Sequence, residues 1–215
     1  MAYKTVVFDL DGTLIDSYQG IARAFQQALL YKGVEESVET IKSLIGPPLS
    51  RTIVTRYGFT EEEGREAMKR HREYLQTKGI YECRVFGGIE ELLQTLRGAD
   101  ITLAIASNKP DYATFAQLEH LGLRKYFASV VCNDERQTRG TKCDFIRIAL
   151  EECGVGDKSA AIMIGDRGED IRCGTDNGLN TIAVLYGYGT EEELRACGPT
   201  YTVKSPAEIG KIIVS

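Results

Sequence analysis

The sequence predicts an α/β protein, a doubly wound and mainly parallel sheet with a small all-helical domain inserted after the first strand. Two observations support this fold class. From about residue 87 onward, short apolar runs alternate with segments of helical periodicity, which is the pattern of βαβ units in a parallel sheet. Residues 16–86 show helical segments with no strand between them, which predicts a separate helical domain.

The first strand is predicted at residues 6–8, a β-branched and aromatic run that is followed by Asp9 and Asp11. Because residues i and i+2 of an extended chain point to the same side, the two carboxylates should lie side by side. Like charges this close require a bound cation or a shared proton. Taken alone, however, Asp11 and Gly12 between two apolar runs favour a plain hairpin turn.

The inserted domain is predicted to consist of four helices. Gly33 ends the first helix, the Gly46-Pro47-Pro48 loop closes the second, and a capping box that begins at Thr60 starts the fourth. The predicted helices span residues 17–32, 38–45, 49–57 and about 60–78.

The rest of the chain is predicted as strands and helices in turn. Pro110 opens one of these helices at its first turn, where its missing N–H costs nothing. The predicted strands span residues 101–106, 127–131, 160–164, 181–185 and 201–203. The predicted helices span residues 89–96, 110–122, 142–153, 167–177, 191–196 and 206–213.

Polar clusters follow the strands of this predicted sheet at their carboxyl ends. The clusters are Asp9 with Asp11, Ser107 to Lys109, Lys142, and Gly165 and Asp166 with Asp170. Because ligands of doubly wound sheets bind outside the carboxyl ends of the strands, the clusters should converge on one site. Each cluster also has an ordinary interpretation: Ser107 and Asn108 as a helix N-cap, Lys142 as a solvated charge, and Gly165 with Asp166 as a turn.

The composition argues against several classes of function. The 215 residues are 43% hydrophobic and 27% charged with a net charge of -5, as in an ordinary globular protein. There is no basic stripe and no apolar run of about 20 residues, so neither a nucleic-acid polymer nor a membrane is an expected partner. No signal-peptide pattern precedes the first strand, and we therefore expect a cytoplasmic protein. We also expect a monomer or a weak homodimer.

The cysteines and histidines do not predict a zinc site. The six cysteines form no Cys-x-x-Cys pair, and His71 and His120 lie on different predicted helices. In a chain without a secretion signal, we expect the cysteines to be buried reduced thiols rather than disulfides.

Two stretches of the sequence resemble the haloacid dehalogenase (HAD) superfamily. Residues 9–17, Asp-Leu-Asp-Gly-Thr-Leu-Ile-Asp-Ser, are similar to its first motif, and residues 165–170, Gly-Asp-Arg-Gly-Glu-Asp, are similar to its fourth. Ser107 and Lys142 resemble the second and third motifs, which are less specific.

The resemblance covers the whole chain. Residues 16–86 are placed like a type C1 helical cap, which leaves residues 1–15 and 87–215 as a catalytic α/β core of the Rossmann-like HAD type. Residues 46–49 and the glycine-rich loop at residues 186–189 look like the phosphoglycolate phosphatase-like branch.

This resemblance implies a magnesium-dependent phosphatase that hydrolyses a small-molecule phosphate monoester through an aspartyl-phosphate. Asp9 would attack phosphorus, and Asp11 would protonate the leaving oxygen and then take a proton from water. The implied ligands of Mg²⁺ are Asp9, the backbone carbonyl of Asp11, and Asp166.

The groups that would hold the phosphoryl oxygens are Ser107, the Asn108 amide and Lys142. Asp170 would orient Lys142 or a metal-bound water. The third motif of this branch usually carries Lys-Pro-x-Pro, whereas residues 137–142 here read Gln-Thr-Arg-Gly-Thr-Lys. Arg139 is therefore a rival to Lys142 as the phosphate-binding cation.

The charge of such a site requires a cation. One carboxylate about 4 Å from a phosphate dianion opposes it by roughly 8 kcal/mol at an effective dielectric constant near 20. The single positive charge of one lysine does not neutralise the negative charges of three aspartates. Oxygen ligands without His or Cys favour a hard ion, Mg²⁺ over Zn²⁺.

Other activities share the predicted scaffold. A phosphomutase of the β-phosphoglucomutase type carries the same motifs, and a nucleotidase or pyrophosphatase uses the same scaffold. A haloacid dehalogenase would lack a carboxylate at position 11, and a phospho-receiver-like binding module carries no helical insert. Substrate specificity is expected on the insert, where the Gly46-Pro47-Pro48 loop and Arg51 are candidates, although Arg51 also fits an ordinary surface position.

Overall fold

The computed structural model describes residues 3–42, 44, 49–134 and 138–214. The chain divides into two compact units, Met1–Asp16 together with Val85–Ser215, and Ser17–Arg84. Asp16, Val85 and Phe86 therefore belong to the first unit, although the sequence analysis assigned them to the helical domain. The Gly46-Pro47-Pro48 loop lies outside the described residues.

The first unit contains a six-stranded sheet in which all neighbouring strands are parallel. The strands, numbered along the chain, are β1 Thr5–Phe8, β2 Ile15–Asp16, β3 Arg84–Val85, β4 Thr102–Pro110, β5 Ser129–Asn133, β6 Ala161–Gly165, β7 Asn180–Val184 and β8 Tyr201–Val203. The sheet order is β5-β4-β1-β6-β7-β8, and β2 pairs with β3 in a separate ribbon. The chain thus builds outward from β1 on one side and then reverses to the other side, which makes the carboxyl end of β1 the expected place for a ligand.

Helices of the first unit cover both faces of its sheet. Numbered along the whole chain, the helices are α1 Tyr18–Leu29, α2 Val38–Lys42, α3 Leu49–Thr55, α4 Glu61–Thr77, α5 Ile89–Gly98, α6 Asp111–His120, α7 Lys142–Glu152, α8 Gly168–Asp176, α9 Glu191–Ala196 and α10 Pro206–Val214. The first four of them belong to the second unit. In β1, Val6 and Phe8 belong to an apolar cluster with α5 and α10, whereas Val7 belongs to one with α7 and α8. The strand is fully buried because a parallel sheet of this kind is covered on both sides.

β4 continues further than the sequence analysis predicted. It was expected to end at Ala106 but extends to Pro110, because Ser107 still pairs with Cys132 and Pro110 pairs with Asn133 on β5. The register shifts between Ser107 and Pro110, so a bulge lies within the polar segment.

The expectation that every cysteine is a reduced thiol is wrong for Cys143 and Cys173, which form a disulfide. The two residues are 30 positions apart, so no local cysteine spacing predicts the pair. They meet because α7 and α8 pack side by side, which brings their Cα atoms to 4.6 Å. Of the free cysteines, Cys132 is buried as expected, while Cys83, Cys153 and Cys197 are only half-buried.

The helical unit has its own apolar core. Its buried side chains are Ala22, Phe25, Ala28, Leu29, Ile41, Ile53, Phe59 and Ala67. The predicted capping box of α4 is present, since Glu63 N–H donates to Thr60 Oγ1 and Thr60 N–H donates to the Glu63 carboxylate. Arg51 is exposed on α3.

None of the helices in the described part of the chain combines the length and the apolar character needed to cross a lipid bilayer.

We expect Gly20→Ala to destabilise the helical unit by about 1–3 kcal/mol, because its methyl group would overlap the backbone carbonyl oxygen of Gly79. Gly98→Ala is the matched control, since open space surrounds that position in α5, and it should raise stability by about 1 kcal/mol. Urea unfolding followed by circular dichroism measures both changes. Equal stability of Gly20→Ala and wild type would contradict the close packing of α1 on residues 79–81.

Candidate active site

The sheet places three of the predicted polar clusters along one edge. Phe8 lies level with Ile105 on β4 and with Ile164 on β6, so the residues that follow these strands are neighbours. Asp9 follows β1 directly, and its N–H donates to the Ile164 carbonyl (2.9 Å). Asp166 follows β6 and is fully buried.

The centre of the site is the ammonium group of Lys142. Its Nζ contacts Asp9 Oδ1 and lies 2.8 Å from Asp170 Oδ1. The Lys142 side chain is only 2% exposed. A capping box between Thr141 and Asp144 starts α7 at this point and fixes Lys142 in the first turn. Lys142 is therefore a buried partner of carboxylates and not the solvated charge that its place at a helix start suggested.

Three carboxylates cluster here, and two of them, Asp9 and Asp170, contact this cation. Asp9, Asp166 and Asp170 are buried, and each offers an oxygen within 4.8 Å of the others. A single lysine leaves this group with excess negative charge. Such oxygen-only donors suit a hard divalent cation, so the residues present fit a metal of that kind.

Burial and mutual repulsion shift the pKa values of these groups. Burial raises the pKa of Asp9 well above 3.8, although Lys142 acts in the opposite direction. Burial, and then the charge of Asp170, raises the pKa of Asp166 to about 7. Burial lowers the pKa of Lys142, but Asp170 and Asp9 outweigh this effect and raise the pKa above 10.5. Lys142 is therefore an ammonium ion at neutral pH.

Two donors orient the Asp166 carboxylate. Thr13 Oγ1 donates to Oδ1 (3.1 Å), and the Tyr188 N–H donates to Oδ2 (2.8 Å). Gly12 and Gly187 approach this carboxylate so closely that a side chain at either position would overlap it. Thr13 and Tyr188 were not among the predicted site residues. The glycine-rich loop after β7 lies at the same sheet edge as Asp9, and this position could have indicated that Tyr188 belongs to the site.

The chain leaves the extended conformation before it reaches Asp11. β1 ends at Phe8 and the backbone bends at Leu10, so the i, i+2 rule does not apply. Both oxygens of the Asp11 carboxylate instead accept from Lys109 Nζ, at 2.7 and 2.9 Å. Lys109 was predicted in the polar cluster after the strand at residues 101–106, and the structure adds its contact with the Asp11 carboxylate.

Ser107 and Asn108 lie at the same edge but have different environments. Ser107 is buried, and its Oγ accepts from the Lys109 N–H (3.2 Å). The Asn108 side chain is exposed and donates to Glu169 (2.8 Å). Neither caps α6, whose N-cap position is Pro110. The alternative interpretation of these residues as a helix cap is therefore wrong.

Arg139, the rival to Lys142, is exposed and bonds elsewhere. Its Nη1 donates to the Cys132 carbonyl (3.1 Å), and its N–H donates to Asn133 Oδ1 (3.2 Å). Lys142 is the residue that contacts the buried carboxylates.

Comparison with known proteins identifies a family and close relatives. The sequence profile described as haloacid dehalogenase-like hydrolase matches residues 6–184. A 5'-nucleotidase of Pseudomonas aeruginosa is 37% identical over 216 residues, covering 100% of this chain and 97% of the relative. A phosphoglycolate phosphatase of Agrobacterium fabrum is 30% identical, covering 85% of this chain and 80% of the relative. The crystal structure of a protein from Clostridium difficile superposes with a TM-score of 0.96 at 36% identity and covers 99% of each chain.

We expect Asp166→Asn to stabilise the metal-free protein more at pH 8 than at pH 5. The unfolded chain releases the Asp166 proton near pH 3.8, whereas the folded chain holds it to about pH 7. The folded state therefore binds more protons between these values, and its stability falls as the pH rises. Asparagine removes this ionisation, so the variant should lose less stability with rising pH.

Melting temperatures measured in EDTA at the two pH values test this expectation. Asp157→Asn is the control, since Asp157 is exposed and lies away from the carboxylate group. An effect of Asp166→Asn that is the same at both pH values would contradict the buried ionisation.

Proposed function

The chain belongs to the haloacid dehalogenase-like hydrolases, in the phosphoglycolate phosphatase-like branch, and we propose that it is a magnesium-dependent phosphatase that hydrolyses a small-molecule phosphate monoester. The observation that carries this proposal is the buried contact of Lys142 with Asp9 and Asp170, beside Asp166, at the carboxyl end of the central strand. A nucleophile, a fixed cation and a carboxylate group suited to a metal meet there.

Asp9 acts as the nucleophile in this proposal. Its carboxylate oxygen attacks phosphorus, the bond to the ester oxygen breaks, and an aspartyl-phosphate forms. The Asp9 backbone is held against β6, which supports a constant direction of attack. The electron pair of the broken bond stays on the leaving oxygen, which takes a proton from the Asp11 carboxyl group.

Water completes the reaction in a second displacement. Asp11, now a carboxylate, accepts a proton from water as the water oxygen attacks phosphorus. The bond between phosphorus and Asp9 breaks, which releases inorganic phosphate and restores both carboxyl groups. The part taken by Asp11 requires its side chain to leave Lys109 or to share it with the substrate.

The transferred phosphoryl group is held by fixed donors. We assign this binding to Lys142, the Ser107 hydroxyl and the Asn108 backbone amide, since all three lie at the edge that Asp9 occupies. Lys142 is already charged and oriented by Asp170, so it meets developing charge on the phosphoryl oxygens without rearrangement. The exposed Asn108 side chain is not needed for this contact.

The metal would be held by Asp9 and Asp166 with the backbone carbonyl of Asp11, and Asp170 lies close enough to assist. Mg²⁺ bound there supplies positive charge that offsets the repulsion between carboxylates and phosphate. Thr13 and Tyr188 fix the Asp166 carboxylate for this role.

We expect Asp9→Asn to lower the rate of hydrolysis of p-nitrophenyl phosphate by at least about 10³-fold, because an amide does not form the aspartyl-phosphate. Phosphate release measured with Mg²⁺ and with EDTA tests both the nucleophile and the metal. Asp157→Asn is the matched control and should retain wild-type activity. Full activity of Asp9→Asn, or of wild type in EDTA, would refute the corresponding assignment.

A nucleoside 5'-monophosphate is our proposed substrate class. The relative that covers the whole chain at 37% identity is named a 5'-nucleotidase, and the relative named phosphoglycolate phosphatase is less similar. In a panel of phosphate monoesters, kcat/KM for nucleoside 5'-monophosphates should exceed that for phosphoglycolate by at least about tenfold. A preference for phosphoglycolate would reverse this assignment and leave the hydrolytic mechanism intact. The Asp9→Asn variant shows that the measured activity belongs to this site.

A further inference from the structure

The Cys143–Cys173 disulfide joins the two helices that supply the charged side chains of the active site. Cys143 follows Lys142 in the first turn of α7, and Cys173 lies one turn beyond Asp170 in α8. Lys142 and Asp170 form the 2.8 Å ion pair between the same two helices. A covalent bond between α7 and α8 thus lies within one turn of both partners of that pair.

Asn177, which follows α8, adds a further polar link between these helices. Asn177 Nδ2 donates to the Cys143 carbonyl (3.1 Å) and to the Cys173 carbonyl (2.8 Å). The bond to Cys143 links the end of α8 to the start of α7 whether or not the sulfur atoms are bonded. Reduction should therefore leave the fold intact and alter the fine spacing of the helices, because non-bonded sulfur atoms stay farther apart than bonded ones.

The two cysteines differ in their access to solvent. Cys143 is half-buried, whereas Cys173 is only 6% exposed. A dissolved disulfide therefore reaches Cys143 first, and the start of a helix favours the thiolate form that reacts. Cys173, held next to it, is placed to attack the resulting mixed disulfide.

We propose that Cys143 and Cys173 are a reversible thiol–disulfide site that sets the position of Lys142 and thereby the affinity for phosphate. This proposal rests on the proposed function only in assigning Lys142 to phosphate binding.

The reaction partner is a small-molecule disulfide such as glutathione disulfide. The Cys143 thiolate attacks one of its sulfur atoms and displaces a thiolate. The Cys173 thiolate then attacks the Cys143 sulfur and displaces the second thiolate. Two cysteine thiols are oxidised to one disulfide, the small disulfide is reduced to two thiols, and two protons pass to these products.

The test compares the full-length wild-type protein after treatment with glutathione disulfide and after treatment with dithiothreitol. Intact mass after thiol alkylation reports whether the bond forms and breaks. The KM for p-nitrophenyl phosphate and the binding constant for inorganic phosphate, measured by calorimetry, report the state of Lys142. We expect reduction to raise the KM and to weaken phosphate binding, each by about threefold to tenfold, with a smaller change in kcat. This effect is smaller than the loss of rate that a displacement of 1 Å can cause.

Variants separate this effect from a general effect of reduction. Cys143→Ala and Cys173→Ala should show the weaker phosphate affinity under both treatments and no response to the reagents. Cys153→Ala, at the other end of α7, is the matched control and should respond as wild type does. Circular dichroism of each variant shows that it is folded.

Two outcomes would overturn the proposal, and a third would support it while refuting the proposed hydrolysis. A bond that forms and breaks without a change in phosphate affinity would overturn the proposal, as would a pair of thiols that glutathione disulfide does not oxidise in the folded protein. Phosphate affinity that follows the redox state in a protein without turnover would support the thiol–disulfide site and refute the proposed hydrolysis instead.

Discussion

One buried ammonium group determines how the active-site half of this protein is arranged. Lys142 is almost inaccessible to solvent and compensates carboxylates that would otherwise repel one another. Removing a charge of this kind from water is costly unless partners surround it closely. The capped start of α7, the end of β1 and the first turn of α8 all meet at this point. The electrostatic balance and the sheet topology therefore favour the same geometry, and the carboxylates gathered there suit a divalent metal.

The sequence contained enough information for the fold because the signals are local. The apolar run before Asp9, the alternation of strands and helices and the strand-free insert each depend on neighbouring residues, and the parallel six-stranded sheet confirms that prediction. The convergence of Asp9, Asp166 and Lys142 followed from one further rule, that ligands meet the carboxyl ends of parallel strands. The HAD motifs pointed to the same residues, and the family profile confirms that resemblance.

What escaped the sequence analysis depends on contacts between distant residues. The pairing of Asp11 with Lys109 follows a bend at Leu10 that no periodicity indicates. Tyr188 became a partner of Asp166 because a loop 22 residues further along folds back over that carboxylate, and Thr13 reaches it from the segment that follows β1. The Cys143–Cys173 bond arose from the packing of two helices, while the composition favoured thiols. In each case the determining quantity is a distance in space, which residue spacing alone does not encode.

The chain leaves the sheet unit and returns to it at adjacent points. β2 and β3 pair with each other, and the Phe86 N–H donates to the Leu14 carbonyl (3.1 Å). Residues of the sheet unit thus hold the two ends of the inserted segment together, and the entropic cost of closing that segment grows only slowly with its length. The insert is thus a separate domain that joins the sheet unit at the ribbon of β2 and β3. The register of the six-stranded sheet does not involve the insert, because every strand of that sheet lies in the first unit.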